Sequence, residues 1–165
     1  MFVPFESLPD QSRVWVYQSV RPLTPGEQET ISSYLQEFTQ HWQAHQQPLQ
    51  ASFTILNDHY VVLAVNESYN QASGCSIDTS VRAMQQIVQQ LHIDFFNRNY
   101  VGFMMEDRVV MLKLSELADK QAAGLWNEDT MVFNALAGTK GEINNRWLLK
   151  ASETWLTRYL KKQTA

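Results

Sequence analysis

Ala51-Ser-Phe-Thr-Ile-Leu56, then Asn57-Asp58, then His59-Tyr-Val-Val-Leu-Ala-Val65 is the stretch that decides the fold. Two runs rich in β-branched and aromatic residues flank a pair of turn formers. Such side chains suit the pleated surface of a strand, and Asn and Asp tolerate the left-handed backbone of a tight turn. The reading is an antiparallel hairpin. Tyr100–Met105 and Arg108–Leu114 around Glu106-Asp107 repeat the pattern. Two hairpins are incompatible with a doubly wound parallel sheet, so the class is α+β.

Working outward, Arg13–Gln18 reads as a short strand. Thr24-Pro25-Gly26-Glu27 marks a helix start, because Thr can cap and Pro suits the first turn. Ile31, Tyr34, Leu35, Phe38 and Trp42 then form one apolar stripe along a helix of about 20 residues. After the first hairpin, Ser73–Asp78 reads as loop and cap. A second helix follows, with Val81, Met84, Val88 and Leu91 at helical spacing. Leu114–Ala123 also reads as helix. Asp129–Ala137 has two readings: a short helix capped by Asp129 and closed by Gly138, or a strand around Met131-Val132-Phe133. Trp147, Ala151 and Trp155 lie four apart, as on a helix.

The expected order is β-α-β-β-α-β-β-α-α. This is an α+β fold with a mainly antiparallel sheet of about five strands and helices packed on it. Its first six elements match a ferredoxin-like split unit. Residues 1–165 read as a single α+β domain, with 140–165 as a basic C-terminal helical segment.

Composition narrows the function classes. The chain has 165 residues, enough for one core, and 44% of them are hydrophobic, which argues against global disorder. Its one cysteine, Cys75, can form neither an internal disulfide nor a Cys-rich zinc site. The net charge of -4 argues against a general nucleic-acid binder. Residues 140–165 hold six basic residues against Glu142 and Glu153, a net +4, so residues 1–139 carry -8. The segment from Met1 to Asp10 lacks the basic and apolar regions of a signal peptide. The longest apolar run, Tyr60–Val65, is strand-sized, against the ~18 residues of a membrane span. The expectation is a soluble, cytoplasmic protein without membrane insertion, where an unpaired thiol is stable.

Gly74-Cys75-Ser76-Ile77-Asp78-Thr79-Ser80-Val81-Arg82 is the strongest local candidate for chemistry. Ser76 or Asp78 can cap the helix, which places Cys75 at its positive end and favours a thiolate. Arg82 adds positive charge if it points back, and Asp78 opposes it. The same helix start can hold a phosphate or carboxylate. Candidate ligand-binding residues are Gly74, Cys75, Ser76, Asp78 and Arg82; candidate catalytic residues are Cys75, His45 and Asp78. The plainer reading makes Cys75 a small buried residue beside two capping side chains. His41 and His45 are four apart, as in metal-binding helices, but no Glu follows the first and a third ligand would have to come from far away. No metal is therefore assigned, and both read as rim residues of a packed helix. His59 reads as an exposed turn residue. Trp15 and Trp42 fit the core, while Trp126, in a loop-like stretch, can line a pocket or a partner surface. Gly138-Thr139-Lys140-Gly141 lacks the order of a phosphate loop, and neither G-x-x-x-x-G-K-[ST] nor G-x-G-x-x-G occurs.

Several strings together resemble a small bacterial family of about this length. They are Arg13–Ser19, Phe38-x3-Trp42-x2-His45, Gly74-Cys-Ser-Ile-Asp78, Phe133-Asn134-x2-Ala137-x-Thr139-Lys140, Trp147 and Trp155. Gly-Cys-Ser-Ile-Asp is the most specific of them. Members carry the label "ABC transporter ATPase". The resemblance adds weight to Cys75, Ser76, Asp78 and His45 as one site, and the label implies association with an ATPase. Phosphoryl transfer by an ABC ATPase needs a Walker lysine loop that this chain lacks, so it is not itself a P-loop ATPase. The first functional expectation is a non-enzymatic binding or adaptor protein, meeting a protein partner through its aromatic or basic C-terminal surface. The alternatives are a small enzyme or anion-binding domain built on the Cys75 loop, or an ATPase-associated protein. The residues assign neither a cofactor nor an oligomeric state.

Overall fold

The structure, a computed structural model, describes residues 1–160. In chain order the regular elements are β1 (Arg13–Gln18), α1 (Pro25–His41), β2 (Gln43–Ala44), β3 (Gln47–Pro48), β4 (Ala51–Leu56), β5 (Tyr60–Val65), α2 (Gly74–Leu91), β6 (Tyr100–Met105), β7 (Arg108–Lys113), α3 (Leu117–Ala122), β8 (Met131–Phe133), α4 (Lys140–Asn145) and β9 (Leu148–Lys150). Short 3-10 turns occupy Phe5–Ser7, Leu114–Glu116, Ala151–Glu153 and Trp155–Tyr159. The fold is α+β and its strand pairs are antiparallel. Where one sheet of about five strands was expected, three sheets form, with orders β1-β5-β4, β2-β3 and β7-β6-β8-β9.

The chain divides into two compact units. The first takes Met1–Phe96 and Ala135–Asn145. Its central strand, β5, is buried along its whole length, as its uncharged sequence Tyr-Val-Val-Leu-Ala-Val allows. Val61 and Leu63 pack with Ile31 and Leu35 of α1 and with Met84 and Ile87 of α2. Both long helices therefore serve one face of this sheet. α1 begins as the sequence indicates: Thr24 Oγ1 accepts the Glu27 N–H at 3.1 Å, and Glu27 Oε1 accepts the Thr24 N–H at 2.9 Å. Both turn residues of each hairpin are left-handed: Asn57 and Asp58 (φ 53° and 57°), and Glu106 and Asp107 (φ 50° and 60°).

β1 and β4 both run antiparallel to β5, which lies between them. That is three-quarters of the ferredoxin-like unit. The fourth strand departs from the expectation. In that topology β6 would flank β1, but here it pairs with β7 and β8 in another sheet. The hairpin with β7 takes only one edge of β6, and β8 rather than β1 takes the other. The outer side of β1 instead makes one bridge, Arg13 with Thr139, and the Val14 N–H donates to the Gly138 carbonyl at 3.0 Å.

The second unit takes Asn97–Asn134 and, of the described residues, 146–160. Its core gathers Phe103, Leu112, Leu117, Trp126, Val132, Ala151 and Leu156. Between the two readings of 129–137, the strand holds at Met131–Phe133, because Val132 and Phe133 find partners in Leu149 and Leu148. The same pairing interrupts the helix expected over 140–165. α4 stops at Asn145, β9 follows, and two 3-10 turns end the described chain. Trp147 meets Phe133 at a tilt, with centroids 5.7 Å apart, and the strand Leu148–Lys150 separates it from Ala151, so that four-residue spacing is not a helical one. Lys161 and Lys162, counted in the basic segment, lie outside the described residues.

Candidate functional site

The start of α2 is built by a reciprocal cap. Ser73, rather than Ser76 or Asp78, is the capping residue. Its Oγ accepts the Ser76 N–H at 3.1 Å, while the Ser76 Oγ accepts the Ser73 N–H at 2.7 Å. This arrangement buries Ser76 and leaves Gly74 and Cys75 exposed as the first two helical residues. Trp42, whose part at this site the sequence reading missed, anchors the turn from below. Its Nε1 donates to the Ser76 carbonyl at 2.9 Å. The periodicity had assigned Trp42 to the end of the α1 stripe. It is in fact the extended residue after the helix, at φ -71° and ψ 128°.

That early end of α1 relocates His45. The residue sits in the β2–β3 turn at φ 52°, beside Gln46 at φ 65°, and is exposed. His41 and His45 therefore do not share a helix, and the metal-like spacing between them has no geometric meaning. His41 Nε2 lies 3.3 Å from Glu37 Oε1 instead. Gly74, Cys75, Ser76, Asp78 and Arg82 do come together, within the first turns of α2. Asp78 and Arg82 are exposed, and Arg82 Nη2 approaches Thr79 Oγ1 at 3.4 Å. Among the described residues, no hydrogen bond joins the Cys75 thiol to His45, Asp78 or another base. The buried reading of Cys75 is overturned, since its side chain faces solvent. Among the described residues no three His, Cys, Asp or Glu side chains group as metal ligands.

The C-terminal surface has a geometry of its own. The Trp155 ring is 37% exposed. The Arg158 guanidinium carbon stands 5.4 Å from the centre of that ring, and Tyr159 meets it edge-on at 6.1 Å. Tyr159 also makes an edge contact with Trp126, 6.5 Å away, which ties the cluster to the core. Trp126 is itself buried and donates from Nε1 to the Leu117 carbonyl at 2.9 Å, so it lines no open surface. Two other sequence assignments change. Lys140, counted in the basic segment, is buried. His59 is buried as well, with Nδ1 2.8 Å from the Ser19 carbonyl oxygen, because the hairpin turn folds back against the segment after β1.

No family model matches the chain, and no curated protein or solved structure proves similar to it. Among the described residues, no helix is long and apolar enough to cross a membrane.

Proposed function

We propose that this chain is a non-enzymatic binding or adaptor protein that engages a protein partner through its aromatic or basic C-terminal surface. The observation that carries the reading is the exposed Trp155, with the Arg158 guanidinium over its ring and Tyr159 edge-on to it. Trp, Tyr and Arg are the residues that dominate binding energy at protein interfaces. Here their rings and guanidinium are already ordered against one another, so little side-chain entropy is lost on docking. A cytoplasmic setting suits the exposed, unpaired Cys75. Affinity capture from native lysate tests this. A reproducible partner should be recovered with the wild-type chain, and its retention should fall roughly tenfold or more with Trp155→Ala, the effect of losing one interface anchor. Equal recovery with W155A, or no partner at all, would refute it.

The α2 start supports a second reading, a small enzyme or an anion-binding domain. Its Ser73–Ser76 cap uses the Ser76 N–H and leaves Gly74 and Cys75 exposed at the positive end of an 18-residue helix. Gly74, Cys75, Ser76, Asp78 and Arg82 would be its ligand-binding residues, and Cys75 with His45 and Asp78 its catalytic set. It ranks second because Cys75 makes no hydrogen bond to a base among the described residues, as nucleophilic catalysis needs. Titration with inorganic phosphate, followed at the Gly74 and Cys75 amides, tests it. The ATPase-associated reading predicts that the captured partner is an ATPase and that the chain alone shows no affinity for Mg-ATP.

A further inference from the structure

We infer that the outer edge of β7 pairs with β7 of a second copy of this chain. β7 ends the sheet order β7-β6-β8-β9, and among the described residues no strand lies on its outer side. The direction of its amides follows from the register. Met105 pairs with Arg108 across a two-residue turn, and beyond the strand the Leu114 N–H donates to the Asn99 carbonyl at 2.8 Å. Arg108, Val110, Leu112 and Leu114 therefore bond towards β6. Val109, Met111 and Lys113 turn their N–H and C=O groups outward. Val109, Val110 and Met111 are half-buried, so the edge offers apolar side chains on both faces together with an open backbone ladder. Such an edge is a ready template for another strand.

Charge decides the occupant. A two-fold antiparallel pairing that sets Val110 opposite Val110 of the second copy lets Val109 and Met111 exchange their outward hydrogen bonds. The same register brings Asp107, just beyond the strand end, opposite Lys113 of the second copy, and symmetry makes this contact twice. Arg108 then faces Leu112, so no like charges meet. A single strand of this sequence thus supplies both halves of a self-complementary edge, with opposite charges across each end. The contact is short, which places the dimer in the weak, concentration-dependent class.

The test is sedimentation equilibrium of the full chain from micromolar to millimolar concentration, with amide exchange at Val109 and Met111 followed in parallel. The wild-type chain should dimerise, and those two amides should gain protection as it does. Lys113→Asp should weaken the dimer roughly tenfold, since each attraction becomes a repulsion. Asp107→Asn, which keeps a turn-tolerant residue, should weaken it less. The reversal D107K/K113D should return the affinity to near the wild-type value, with circular dichroism recording that each variant stays folded. A chain that stays monomeric at every concentration overturns the inference. So does a dimer that leaves Val109 and Met111 unprotected, or one that K113D does not weaken.

Discussion

Lys140 is 5% exposed and has no carboxylate partner among the described residues. Its ammonium donates to the Leu8 carbonyl at 2.6 Å and to the Glu6 carbonyl at 2.9 Å, and stands 5.7 Å from the centre of the Phe5 ring. A buried ammonium is tolerated only where its donors are taken up, and here two carbonyls and a ring face do so. The side chain thereby clamps the N-terminal 3-10 turn to the start of α4. Lys140→Met keeps the length of the stem but leaves both carbonyls without a donor. It should destabilise the fold by about 2 kcal/mol, measured by urea denaturation. A change within about 0.5 kcal/mol would show that the clamp contributes little. Nothing in the string Gly138-Thr139-Lys140-Gly141 announces this role. Its two acceptors lie more than 130 positions away, and a lysine between Gly138 and Gly141 in a basic C-terminal segment reads as surface. His59 misled in the same way, since its acceptor is 40 positions distant.

At the scale of elements, local chemistry was legible at the start of α1 and at both hairpin turns, whose partners lie within three residues of each other, but it misplaced the cap of α2, which is Ser73. Thr24, Pro25 and Glu27 announced the start of α1, and the two turn dipeptides announced both hairpins. The end of α1 was not legible, because Trp42 satisfies the apolar stripe yet leaves the helix to bind the Ser76 carbonyl. The α1 start also makes a pH-dependent contribution. Arg21 grips both carboxylate oxygens of Glu27 at 2.8 and 2.7 Å, and the Thr24 N–H adds a third bond. The hydrogen bonds from the Arg21 side chain, and then the Thr24 amide, hold the Glu27 carboxyl down from 4.5 to about 2. The folded state thus favours the ionised form. Its stabilisation is complete above about pH 4.5 and fades as the pH falls towards 2. Glu27→Gln should therefore be less stable than the wild type at neutral pH, and the gap should narrow as the pH drops through that window. Urea midpoints across the same range check it. Exposure of the pair to solvent keeps the gap small, and a gap that stays constant with pH would remove Glu27 as its source.

For the whole molecule, the number and order of the hairpins followed from local sequence, but the division of strands among sheets did not. β6 reads the same whether it completes the first sheet or founds another, because its side-chain pattern records burial and not the identity of its neighbour. Three-residue strands such as β8 and β9 carry almost no pattern of their own. They exist because Met131, Val132 and Phe133 meet Lys150, Leu149 and Leu148 across a loop that holds α4. The second unit is thus closed by residues that return late in the chain. Leu156, in the last 3-10 turn, is the latest fully buried residue of this core among the described residues and packs with Phe103, Leu112, Leu117 and Trp126. Leu156→Ala removes three carbons from that core, where a poorly collapsing cavity costs about 2–5 kcal/mol. The loss should appear as faster amide exchange at Phe103, Leu112 and Val132, whose hydrogen-bonded strands rest on this cluster. Exposed Leu136, at 78%, is the control, because Leu136→Ala removes the same atoms from water-facing chain and should leave those amides unchanged. If L156A exchanged no faster than L136A at these three positions, the C-terminal turn would not be what closes the second unit.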